Sequence, residues 1–124
     1  MKISENESSP LVFIIDDDQM MAECIARACK CKTHIFHNAI EAVDALNQDL
    51  PDLIFLDILL DGPDGFTFLN ETVSYSDTAK IPVVIVSSLD FKNKDLTDYG
   101  VIGVLNKDTM TPEEIYQYVK QVTK

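Results

Sequence analysis

The sequence predicts an α/β domain built on one doubly wound, five-stranded parallel sheet flanked by helices. Two observations carry this expectation. Leu11–Ile15, Leu53–Leu56 and Ile81–Val86 are apolar runs bounded by polar or turn-forming residues, as expected of strands buried on both faces. Between them, apolar residues recur at helical spacing, so strand and helix alternate along the chain.

Met1–Pro10 is rich in Ser, Glu and Asn and is expected to be a flexible arm, with residues 11–124 as the domain. The strand Leu11–Ile15 stops on Asp16, Asp17 and Asp18. Met20, Cys24 and Ala28, with Met21, Ile25 and Cys29 beside them, mark an amphipathic first helix. Thr33–His37 alternates β-formers with polar residues and reads as an edge strand. Asn38 and Glu41 give the next helix a capping-box-like start, and Ile40, Val43 and Leu46 are its expected buried face. Pro51–Asp57 is the third strand. A turn-rich loop follows over Ile58–Gly65, then a helix carrying Phe66, Leu69 and Val73.

In the strand Ile81–Val86 the proline sits near the start, where a missing donor is tolerated. Leu89–Tyr99 is polar and weakly periodic, and a short fourth helix is expected there. Val101–Leu105, interrupted by Gly103, is the fifth strand. Thr111, Pro112 and Glu114 supply the N-cap, first-turn proline and N3 glutamate of a last helix. Ile115, Tyr118, Val119 and Val122 form its expected buried stripe.

With 124 residues, 46% of them hydrophobic, the chain can bury one core without disulfides. Cys24, Cys29 and Cys31 crowd one region in an odd number, and with His34 and His37 they match no zinc-ligand spacing. They read as reduced thiols. A net charge of −11 argues against nucleic acid and against an anionic membrane as partners, because phosphates are held by clustered Lys and Arg. The N-terminal segment lacks the apolar core of a signal peptide, and no run is long enough to span a bilayer. A cytoplasmic location is expected.

Carboxyl ends of parallel strands share one rim, where function collects. Asp16, Asp17, Asp57, Ser87 and Lys107 all fall at such ends. Three carboxylates brought together repel, and one would stay protonated unless a cation were present. Mg²⁺ suits such a place, taking one or two carboxylates, keeping several waters and bridging to phosphate oxygens. Lys107 adds a second positive charge and Ser87 a hydroxyl donor. The set suits transfer of a phosphoryl group onto an aspartate, a reaction that needs chiefly positioning and charge neutralisation.

This ordered set resembles the signature of response-regulator receiver domains, and the resemblance runs from Leu11 to the C-terminus. It implies a flavodoxin-like strand order of 2-1-3-4-5, with Asp57 as phosphoacceptor. It implies Mg²⁺ held by Asp17, Asp57 and the backbone carbonyl of Leu59, with Asp16 acting largely through water. Lys107 would pair with a phosphoryl oxygen, and Ser87 would hydrogen-bond it on activation. The implied setting is a two-component signalling switch, not an enzyme. Its donor would be a histidine kinase or histidine phosphotransfer protein, and its readout a downstream protein. Asp18 has no part in this set and reads as a helix cap.

Three positions depart from the family pattern. Asp61 stands where a proline is usual, Asp108 replaces a proline that usually follows the lysine through a cis bond, and Val104 replaces an aromatic. Val104 cannot make an aromatic rotamer change, so the conformational response is expected in Ser88–Tyr99. Leu59 and Leu89 would flank the in-line path of water to phosphorus and slow self-dephosphorylation. A haloacid-dehalogenase-type phosphatase would need a second aspartate two residues after the nucleophile, where Leu59 stands. An interaction module working without phosphorylation is the other alternative; Val104 and Asp61 favour it, and the intact acceptor set opposes it.

Overall fold

β1 (Leu11–Ile15), β2 (Lys32–Phe36), β3 (Leu53–Asp57), β4 (Val83–Ser87) and β5 (Val101–Asn106) pair in parallel in the order β2-β1-β3-β4-β5. The doubly wound sheet and the order implied by the resemblance are both observed. The computed structural model describes residues 10–58, 65–88 and 96–123. The expected N-terminal arm (apart from Pro10), the Leu59 carbonyl, Asp61, Leu89 and most of the expected fourth helix lie outside these residues. Of that helix, Thr97–Tyr99 is described, as a single 3₁₀ turn closed by Gly100 at a positive φ of 79°.

Helices α1 (Gln19–Cys29) and α4 (Pro112–Val122) cover one face of the sheet, and α2 (Ala39–Leu46) and α3 (Gly65–Val73) cover the other. Successive strand residues therefore serve opposite cores. Phe13, Ile15, Ile54, Leu56 and Ile85 face α2 and α3, whereas Val12, Ile14, Phe55, Val84 and Val86 face α1 and α4. All of β3 is buried, which is why its sequence shows no polar alternation. β2 lies at the edge and is only partly buried.

The local start signals act as expected. The Asp18 carboxylate accepts from the backbone N–H groups of Met20 and Met21, and Asn38 accepts from Glu41 N–H. Thr111 and Glu114 form a reciprocal capping box.

The buried rows of two helices differ from expectation. In α1 the core-facing residues are Ala22, Ile25, Ala28 and Cys29, while Met20 is 79% exposed and Cys24 is also exposed. At 3.6 residues per turn, Met20 and Cys24 lie on the side opposite Ala22 and Cys29. In α2 the buried residues are Ala39, Ala42 and Leu46, and Ile40 is 60% exposed. Small side chains face the sheet in both helices and allow a close approach. In α3 Gly65, Phe68, Leu69 and Thr72 are buried, with Val73 half-buried; the side chain of Phe66 lies outside the described set. In α4, Ile115 and Val119 are buried, flanked by half-buried Tyr118 and Val122.

The three thiols are free. Burial pushes Cys29 up to about 12. No helix among the described residues is long and apolar enough to cross a membrane.

Gly103 has a packing cause. β5 bulges opposite Val83 and Val84, so that Val83 pairs with Val101 and Val84 with Gly103. A Cβ at Gly103 would lie 2.0 Å from the Tyr118 hydroxyl and 2.5 Å from its ring carbon Cζ. Gly103→Ala should therefore lower stability by about 1–3 kcal/mol, the usual range for overpacking. Denaturant unfolding checks this, and adding Tyr118→Ala should make the glycine substitution much less costly.

Candidate functional site on the carboxyl rim

Three consecutive acids at the end of β1 have three different environments. Asp16 N–H donates to Phe36 O at 2.9 Å, extending the pairing of β1 with β2 and leaving Asp16 1% exposed. Its Oδ1 accepts from Asp18 N–H at 2.9 Å, a tight local turn. Asp17 is exposed on the rim, and Asp18 caps α1.

The other strand ends complete the site. Asp57, the last residue of β3, is 4% exposed, and Ser87, the last of β4, is 1% exposed. Lys107 follows β5, and its N–H donates to Ser87 O at 3.1 Å. Its Nζ lies 3.0 Å from Asp57 Oδ2 and 3.3 Å from Asp16 Oδ2. Only the contact with Asp57 is a hydrogen bond; Asp16 Oδ2 is buried without a hydrogen-bond partner.

The structure thus brings Asp16, Asp17, Asp57, Ser87 and Lys107 to one rim, as the sequence predicts. Sequence reasoning missed two supports. Asn106 Oδ1 accepts from Asp108 N–H at 2.7 Å, and Asn106 O accepts from Met110 N–H at 2.8 Å. These bonds shape the turn that presents Lys107 without a proline, and no cis peptide occurs among the described residues. An Asn at a strand end is an ordinary turn former, which was the available signal. The second support is a side-chain chain at the start of α1. His37 Nε2 meets Gln19 Oε1, and Gln19 Nε2 donates to Glu23 Oε2 at 2.6 Å.

Burial raises the pKa of Asp16 above the usual 3.8, and the Asp57 charge adds to this. The Asp18 N–H and Lys107 act in the opposite direction. For Lys107 burial opposes the charge, but the hydrogen bond to Asp57 and the attraction of both carboxylates prevail, so it titrates above 10.5. One oxygen or more from each of Asp16, Asp17 and Asp57 falls within a cluster spanning 4.8 Å. Three clustered carboxylates, one with a buried oxygen that is ion-paired but not hydrogen-bonded, suit a hard divalent cation.

The model of the response regulator receiver domain matches residues 12–120. The chain belongs to the response regulator receiver family. Receiver domains are the aspartyl phosphoacceptor modules of two-component signalling.

The transcriptional regulatory protein BaeR of Escherichia coli O6:H1 is 32% identical over 87 residues, which are 67% of this chain and 35% of that protein. Response regulator PleD of Caulobacter vibrioides is 29% identical over 85 residues, 66% of this chain and 19% of PleD. The chain therefore spans about a third or less of these relatives. The receiver domain of Francisella response regulator 1452 superposes with a TM-score of 0.78 at 24% identity, covering 91% of this chain and 95% of that one.

An ionised, poorly hydrogen-bonded Asp16 should destabilise the metal-free protein at neutral pH. Because its folded-state pKa lies above 3.8, protonation favours the folded state. The penalty is present above the folded pKa and disappears below the unfolded one. Asp16→Asn in EDTA should raise stability at pH 7 by roughly 1–3 kcal/mol, the scale of one unsatisfied buried polar group. Thermal melts from pH 7 to pH 3.5 should show this advantage shrinking as the pH falls.

Proposed function

We propose that Asp57 accepts a phosphoryl group from a phosphohistidine donor, on a histidine kinase or a histidine phosphotransfer protein. The observation that carries this reading is the ion pair of buried Asp57 with Lys107 Nζ at 3.0 Å, on the same rim as Asp16, Asp17 and Ser87. A carboxylate oxygen of Asp57 attacks phosphorus as the P–N bond breaks, and the imidazole nitrogen leaves with that electron pair. Lys107 is within reach of an oxygen of the group being transferred and offsets its charge. Ser87 donates its hydroxyl to another phosphoryl oxygen.

Mg²⁺ is the cation this donor set favours; Asp17 and Asp57 would hold it, with Asp16 beside them. The Leu59 carbonyl is added from the family resemblance alone. When bound, Mg²⁺ supplies neutralisation of phosphoryl charge. The phosphorylated domain, residues 11–124, then biases a pre-existing conformational equilibrium that a downstream protein reads. We place this activity in the cytoplasm, and we assign no catalysis to the chain beyond loss of its own phosphoryl group.

Incubation with acetyl phosphate and Mg²⁺ should add one phosphoryl mass to the intact protein. EDTA or Asp57→Asn should remove that gain, and equal labelling of the Asp57→Asn variant would reassign the acceptor. Lys107→Ala should leave Asp57 in place yet slow labelling strongly.

Leu59 and Leu89 offer no hydrogen bond to an attacking water, so self-dephosphorylation should be slow. Phosphate loss should accelerate in Leu59→Asn combined with Leu89→Glu. Unchanged decay, with Mg²⁺ affinity intact, would remove these residues from the account.

A further inference from the structure

Among the described residues, charge is divided unevenly between the two faces of the sheet. No Lys or Arg occurs between Lys32 and Lys80, a stretch that contains both α2 and α3. The opposite face carries Arg27 on α1 and Lys120 on α4. There Lys30 and Lys120 lie 5.0 and 5.9 Å from the ring centre of Tyr116.

A groove runs between α2 and α3. It comprises cavities of about 210 Å³ and 280 Å³ that share Val43 and Glu71 as lining residues. Phe68 and Leu46 contribute to its walls. Ile40 lines one cavity and Tyr75 the other, and they are 60% and 57% exposed. Asp44, Glu71 and Asp77 supply the charge of the groove, and among the described residues no cationic side chain lines it. None of the residues assigned to phosphoryl transfer takes part.

We propose that this groove docks a basic amphipathic helix of a partner protein. The apolar stripe of such a helix would cover Ile40 and Tyr75, and its Lys or Arg residues would meet Asp44, Glu71 and Asp77. A groove with helical walls, exposed apolar residues and a charged rim fits this recognition mode, and complementary charge gives it specificity and speed. The same acids repel an anionic membrane or a nucleic acid. A second copy of the chain placed symmetrically on this face would set acids against acids.

The test uses the unphosphorylated full chain and a synthetic peptide with leucines at helical spacing i, i+3, i+4 and i+7 and lysines on its other face. Titration followed by amide NMR should give saturable shifts centred on Ala39–Leu46 and Gly65–Val73, and added salt should weaken them. Ile40→Ser combined with Tyr75→Ser changes only exposed side chains. This variant should keep its melting temperature and its phosphorylation by acetyl phosphate, and should lose roughly tenfold or more in peptide affinity.

Four results would overturn the proposal. They are absence of saturable binding, equal binding of a peptide with glutamates in place of the lysines, unchanged affinity of the double variant, and shifts confined to α1 and α4. Concentration-dependent self-association that the double variant abolishes would also overturn it, in favour of a second copy as occupant.

Discussion

Lys107 reconciles two demands that the fold makes of the rim. Asp16 and Asp57 end neighbouring strands and are almost wholly withdrawn from water. Two carboxylates in that position repel each other and each loses hydration. A single ammonium within 3.3 Å of both supplies the compensating charge. It reaches them because β5 lies in the same parallel sheet, because its N–H is tied to Ser87 O, and because Asn106 shapes the turn behind it. One lysine against three acids still leaves the rim short of positive charge, which suits a hard divalent cation.

The central strands were legible because burial on both faces leaves a continuous apolar run that no amphipathic element imitates. Caps were legible because their chemistry is local, as at Asp18, Asn38 and Thr111. Which row of a helix meets the sheet was less legible. Met20, Cys24 and Ile40 looked like core on hydrophobicity, yet they are exposed, and Ala22, Ala39 and Ala42 are among the residues that face the sheet. Close packing against a sheet rewards small side chains, and a periodicity weighted by hydrophobicity undervalues them. The five residues gathered on the rim could be read because each stood at or just past the end of a recognisable strand. Asn106 and the pairing of Gly103 with Tyr118 could not, since their roles depend on neighbours distant in the chain.

The departures from the family pattern are local and compatible with the frame. Asp108 makes a backbone bond that proline could not make, its N–H donating to Asn106 Oδ1. Val104 is 38% exposed on β5, so this strand offers no bulky ring to swing between inner and outer positions.

Asp57 and Lys107 stand 50 positions apart in the chain, at the ends of strands separated by β4 in the sheet. Their encounter requires that β3, β4 and β5 have already paired. Parallel pairings of this span are slow to form, because loop closure must precede the contacts that reward it. A partly folded chain, with β5 not yet docked, would carry a buried-strand Asp57 without its lysine. The meeting of Asp57 with Lys107 is thus a property of the completed sheet, not of any one strand.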